Sequence, residues 1–418
     1  MIDWYAADVN RYNENVFAGS LLTRGISTLK TIIRQSCTEQ GDFTKRMYFL
    51  DNLRSFIILL VLLYHAAIAY MTRGPEWYYV VDTQKDFFFN IVVIFNDVFI
   101  MPMMFLLAGF FAIRSLARKG QFAFWQDKIV RIVIPYFAGI IFLAPAINYI
   151  YFLSRYDTPP AYLDYWVNTF FSLARQHAHL WFLGVLTLLF LALSIGYHFY
   201  KPLGSVADKP VAPSIKFIIG FGLVTSITFF GIKQLFDDYT WIMIKHVIMF
   251  QPTRCISYAF YFALGIYAHN KQWFTTCGYI PSITFWGPAA IVLGSVYTQF
   301  RIMFWPKREL LIVMVGNDFL YSFFCLAAVF SLVALFYRWM NYTSDLLGKL
   351  AGNSYAIYFI HQPILMLLIL AVRGCQLNVF VKYLAASIST IVLCYLVCEY
   401  ILSKIPSFSY KNKTVHTR

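Results

Sequence analysis

Apolar runs of about 20 residues recur along the chain, each closed by a short polar stretch carrying Lys, Arg, Asp, Pro or Gly. A helix needs about 20 apolar residues to cross a bilayer core of ~30 Å, so each run predicts a transmembrane helix. Ten are marked, at approximately 50–70, 87–112, 132–153, 180–198, 217–232, 255–268, 282–300, 310–336, 351–371 and 383–402, the sixth being the shortest. No internal repeat or large soluble domain is visible, and the expected fold class is an all-α polytopic membrane protein of about ten transmembrane helices. The polar, basic start of the chain shows no cleavable signal peptide, so the first span is expected to be retained. Within it, Leu22, Ile26, Leu29 and Ile33 fall at helical spacing with Arg24, Lys30 and Arg34 between them. That pattern suits an amphipathic helix in the membrane interface, and a short solvated helix satisfies it equally.

Charge sets the orientation. With the N-terminus, alternate loops and C-terminal tail on one side, that side holds 21 Lys and Arg against 12 opposite, the densest stretch being Arg114, Arg118, Lys119, Lys128 and Arg131. By the positive-inside rule both termini are expected in the cytoplasm. The expected organisation is a cytoplasmic segment 1–47, a transmembrane domain 48–403 and a basic cytoplasmic tail 404–418. Tyr and Trp near span ends, such as Trp77, Tyr78, Tyr79, Tyr162, Tyr165 and Trp166, read as interfacial anchors.

Composition narrows the classes. Hydrophobic residues make up 60% of the chain and charged residues 13%, with mean hydropathy +0.61. That excludes an ordinary soluble enzyme. The formal charge of +14 sits in short loops that meet anionic lipid or phosphate, so nucleic acid is not expected as a partner. Seven scattered cysteines form no metal-ligand spacing and read as small core hydrophobes.

Ionisable side chains inside spans are expensive, and each marks a functional hypothesis. Asp51, Arg54 and His65 share one face of the first span, with His65 about 16 Å deeper than Arg54. Asn96 and Asp97 lie in the second span and His361 in the ninth, at a depth close to that of His65. Convergence on one site is one reading; polar contacts that merely hold helices together are the other. Asp318 and Glu399 look structural, with Glu399 placed to pair with Arg54. His179 opens the fourth span beside Trp181, as an acceptor-holding residue or a helix cap. One His-x-His pair falls short of a multi-histidine site, so no metal is expected.

The run Tyr48-Phe-Leu-Asp51-Asn-Leu-Arg54 followed by His65 resembles the signature of the acyltransferase-3 family of integral membrane O-acyltransferases. Phe105 through Phe111, Lys128-Ile-Val-Arg131 with Pro135, His179-Leu-Trp-Phe-Leu and Ser354 through Pro363 follow in the family's order. Two departures are Ala108, where a Ser is common before Gly-Phe, and Lys128, where an Arg is usual; Lys keeps the charge and loses the planar fork. The resemblance implies transfer of an acyl group, acetyl or succinyl, from cytoplasmic acyl-CoA to a hydroxyl of a periplasmic or surface glycan, in a bacterial inner membrane. On that implication His65 is the expected base with Asp97 as its orienter. Arg54, Lys128, Arg131, Arg114 and Arg118 are the expected holders of coenzyme A phosphates. His361, His179, Trp181 and Asn96 are expected to bind the acceptor. No permanently bound cofactor is expected, acyl-CoA being a co-substrate. The alternative is a proton-coupled secondary transporter or a glycan-precursor export protein, for which the same intramembrane charges would form a relay.

Overall fold

The computed structural model describes residues 46–74, 79–170, 177–245, 247–275 and 277–409. The amphipathic pattern at 22–33, the anchors Trp77 and Tyr78, and residues 410–418 of the tail lie outside the described residues.

Within them the chain is helical except for one small hairpin. In order it forms α1 (Tyr48–Ile68), α2 (Phe87–Asn96), α3 (Ile100–Lys128), α4 (Ile134–Ala138), α5 (Ala144–Leu153), α6 (Trp181–Phe199), α7 (Ile215–Lys233), strands β1 (Ile242–Ile244) and β2 (Ile248–Phe250), α8 (Pro252–Asn270), α9 (Ile283–Met303), α10 (Leu311–Trp339), α11 (Asp345–Val372) and α12 (Val379–Tyr400). Side chains of Asp86, Ser214, Ser344 and Asn378 cap α2, α7, α11 and α12 by accepting from backbone N–H groups that the first turn leaves unpaired. Each apolar window read from the sequence falls on helix. Among the described residues, seven helical stretches are long and apolar enough to cross a membrane. One of these, Phe87–Leu153, contains two of the windows, whereas α8 and α9 fall short of that measure. Side chains such as Phe122, Ile227, Ile291 and Ile312 are exposed on the outer surface, where lipid is their only apolar solvent.

The long second stretch is not one rod. Gly120 has φ 76° and ψ 169°, a backbone state that a side chain disfavours, and it divides α3. Wide π turns follow at Ile129–Val133 and Gly139–Leu143, each next to a proline that lacks the N–H needed to continue regular bonding. Pro145 leaves the Ile141 carbonyl without its helical donor, and Trp166 Nε1 supplies one at 2.9 Å.

The loops gather into two ends. At one end Asn52 donates to the carbonyls of Met340 and Tyr342, Asn270 to that of Leu203 and Trp273 to that of Val211. At the other, Arg373 donates to the Ser154 carbonyl and Lys382 pairs with Asp82 at 3.0 Å, both side chains essentially without solvent. Between the ends, α3 and α8 approach at glycines: a Cβ on Gly109 would stand 2.0 Å from the Phe262 carbonyl oxygen, and one on Gly265 would stand 2.1 Å from that of Leu106.

The cysteines are only partly core residues. Cys325, Cys394 and Cys398 are buried, but Cys375 is exposed, so the sequence expectation fails there.

Candidate active site

Pro363 shapes the site from α11. Because proline has no N–H, the Phe359 carbonyl four residues back loses its helical donor. His179 Nε2 lies 3.0 Å from that carbonyl, and its Nδ1 lies 2.7 Å from Gln362 Oε1. The same Gln362 oxygen also accepts from the His179 backbone N–H, and Tyr358 donates its hydroxyl to the His179 carbonyl. Both ring nitrogens of His179 therefore have a hydrogen-bonding neighbour on α11, and neither is left unpartnered toward the cavity.

His361, two residues before Pro363 on the same helix, places Nδ1 2.6 Å from the Tyr358 carbonyl and Nε2 3.1 Å from His65 Nδ1. A carbonyl only accepts, so in the neutral ring the proton of His361 is on Nδ1 and Nε2 is an acceptor. His65 must then donate from Nδ1, which leaves its Nε2 lone pair unprotonated. Tyr64, Tyr79 and His361 rings enclose His65. Of the three clustered histidines, His65 alone retains an uncommitted nitrogen. Their nitrogens do not converge on a point, and among the described residues no group of three His, Cys, Asp or Glu is disposed around a metal.

His65, His179, Trp181 and Asp97 line one cavity of about 580 Å3. His361 stands behind His65 and is not in its wall, so the acceptor contact expected of it is not where the structure places it. Asp97 sits where the chain breaks between α2 and α3, irregular backbone of a kind that membranes accommodate beside a cavity. Its carboxylate accepts from the Tyr64 hydroxyl at 3.1 Å and pairs with Arg254 at 2.9 Å. The orienting position beside His65, which the sequence reading gave to Asp97, is thus filled by His361. Asn96 donates to the Val92 carbonyl one turn back and does not line the cavity, a helix-internal contact in place of the expected acceptor contact.

The expected donor-binding cations have separate neighbours. Arg54 reaches α11, donating to Ser354 Oγ at 3.3 Å and the Ala351 carbonyl at 3.1 Å, and pairs with Asp51 at 3.4 Å. It shares a helix face with His65 but is not in the wall that His65 lines. Arg131 and Lys119 flank Asp127, and Lys128 lies over the rings of Phe124 and Phe190. Arg114 and Arg118 precede the Gly120 break on the same helix. Glu399 accepts from Asn353, next to the serine that holds Arg54.

Sequence reasoning missed the other wall of the cavity. Arg254, Arg301, Asp238, Trp241 and Trp305 line it, backed by Lys233 and Asp318. Burial opposes the charge of Asp238, but Lys233, Arg254 and Arg301 outweigh it and hold the carboxyl below the usual carboxylate range. Arg254 stands just before the sixth window, where it reads as a loop cation. The signal that could have found it is Pro252, which opens α8 two residues earlier.

The acyltransferase-3 profile, an acyltransferase domain, matches residues 47–399. The chain is 25% identical over 346 residues to glucans biosynthesis protein C of Salmonella schwarzengrund (strain CVM19633), covering 76% of this chain and 82% of the relative. Glucans biosynthesis protein C of Salmonella typhi and of Salmonella typhimurium (strain LT2) show the same identity and coverage. No solved structure matches the chain. A profile that spans most of the sequence, on a helical fold with membrane-length apolar helices, establishes that the chain belongs to the acyltransferase-3 family of membrane acyltransferases.

Proposed function

We propose that this acyltransferase moves an acetyl or succinyl group from cytoplasmic acyl-CoA to a hydroxyl of a periplasmic or surface glycan, with His65 as general base. The observation that carries the reading is the His361–His65 contact, which leaves one unprotonated nitrogen in the cavity wall. His65 Nε2 takes the proton of the acceptor hydroxyl as its oxygen bonds to the thioester carbonyl carbon. The carbon–sulfur bond then breaks, and the imidazolium returns the proton to the departing thiolate. Donor phosphates are assigned to Arg54 with Arg114, Arg118, Lys128 and Arg131, whose heads keep access to solvent at Arg54 and Arg131 (side chains 36% and 31% exposed). A glucan acceptor is supported by the name of the Salmonella relatives, glucans biosynthesis protein C. The reading keeps ten crossings with both termini in the cytoplasm, in a bacterial inner membrane, on the balance of Lys and Arg between alternate loops. The family membership favours acyl transfer over proton-coupled transport or precursor export.

The test is mass spectrometry of periplasmic and surface glycans from strains with and without the gene, paired with transfer from labelled acetyl-CoA and succinyl-CoA in proteoliposomes. Loss of one acyl modification in the deletion strain, reproduced with one donor in vesicles, is the expected result. Unchanged glycan acylation in the deletion strain overturns the proposal.

A further inference from the structure

We infer that the cavity wall opposite His65 is a binding subsite for an uncharged sugar residue of the acceptor, an inference that rests on the glycan-transfer reading above. The argument starts from charge. Asp97 pairs with Arg254 at 2.9 Å, Asp238 with Lys233 at 3.0 Å and with Arg301 at 3.7 Å, and Lys233 with Asp318 at 2.7 Å. Three cations and three carboxylates cancel, and the remaining cavity arginine, Arg73, is exposed at the rim. A carboxylate or phosphate entering this wall would have to displace an existing partner and leave a charge uncompensated in a water-poor space. A hydroxyl both donates and accepts, so a neutral sugar joins the network without breaking it. Asp238 has unused accepting capacity at this wall, because its buried Oδ1 has no hydrogen-bond partner in the protein.

Aromatic surface completes the subsite. Tyr239 and Trp241, carried on the segment leading into the β1–β2 hairpin, line the cavity beside Asp238. Trp241 meets Trp181 edge-to-face at 5.8 Å, and Trp181 in turn stacks on Tyr258. Trp305 is covered instead by the guanidinium groups of Arg301 and Arg308 and serves to fix them. Flat rings at the end of a polar network suit the carbon–hydrogen faces of a pyranose, with hydroxyls meeting the charges at its edge. The position of Asp97 between this wall and Tyr64, the residue before His65, makes the subsite continuous with the base.

The experiment is equilibrium binding to the full chain in lipid nanodiscs, by titration calorimetry, of a neutral glucose tetrasaccharide and of tetragalacturonic acid. Wild type is expected to bind the neutral probe at least tenfold more tightly. Trp241→Ala is expected to weaken neutral binding at least tenfold, and Trp241→Phe to restore most of it while both variants keep the wild-type elution profile and melting temperature. Asp238→Asn, which removes one negative charge, is expected to shift the preference toward the acidic probe. Equal or tighter wild-type binding of the acid, no neutral binding, or an unaffected Trp241→Ala overturns the inference. The two proposals fail separately. Neutral binding without acyl transfer to any acceptor sinks the transfer reading alone, and acyl transfer with an unchanged acceptor KM in Trp241→Ala sinks the subsite alone.

Discussion

His361 Nε2 lies 3.1 Å from His65 Nδ1, joining residues 296 apart in sequence across α1 and α11. Since the Tyr358 carbonyl fixes the proton on the far side of His361, this contact decides which nitrogen of His65 is basic. Replacing His361 by Gln keeps an acceptor oxygen near the position of Nε2, whereas Ala removes it. Expected are kcat within about tenfold of wild type for His361→Gln and a loss of about 10²-fold for His361→Ala, read from initial rates in proteoliposomes. The pH dependence of kcat should move in the Ala variant and hold in the Gln variant. Equal losses in both would reduce His361 to a packing role.

Asp97 and Arg254 form a charge pair, and each is worth less alone than together. Asp97 is 40% exposed to the cavity and Arg254 12%, so the pair lies between the exposed and buried limits. Asp97→Asn is expected to cost about 1–2 kcal/mol of stability. The double replacement Asp97→Asn with Arg254→Gln should cost less than the sum of the two single ones. Thermal melting in detergent of the four proteins of this cycle measures the coupling, and strict additivity would deny the pair.

How the sequence showed some of this and hid the rest follows from the range of each signal. Apolar length along the chain marks helices locally, which is why every window fell on one. His65, Asp97 and His361 stood out because charge in a membrane is costly wherever it folds. Partner choice is a matter of three dimensions. Nothing in spacing says that α11 presents His361 to His65 while Asp97 turns to Arg254. Arg254, Arg301, Lys233 and Asp238 hid for a different reason: at helix ends they look like the loop charges that orient any membrane protein. The break at Gly120 was invisible because an isolated glycine is tolerated in many helices.

The α3–α8 contact depends on the absence of a side chain at Gly109. A methyl group there would need to displace the backbone oxygen of Phe262, which cannot rotate away. Gly109→Ala is expected to cost about 3 kcal/mol and to lower the melting temperature in detergent, while Gly231→Ala, whose Cβ would meet nothing within 4 Å, should be close to neutral. A neutral Gly109→Ala would mean that the helices pack less closely than described.

Asp238 links pH to stability. Its folded carboxyl titrates below the ordinary carboxylate range, so the stabilisation it provides is fully present above the unfolded value of ~3.9 and is lost as pH falls below that. Asp238→Asn should therefore melt at a lower temperature than wild type at pH 7, and the difference should shrink as pH falls below the unfolded value and through the lower folded one. A difference that stays constant across this range would contradict the charge assignment.

The most direct measurement is the rate of acyl transfer by His65→Ala in proteoliposomes supplied with labelled acyl-CoA and the glycan acceptor. The variant must match wild type in insertion and melting temperature. A fall in kcat of about 10²- to 10⁴-fold, with donor KM little changed, is the result expected of a lost general base. Wild-type turnover by a properly folded His65→Ala would show that the unprotonated nitrogen in the cavity wall is not where the hydroxyl proton goes.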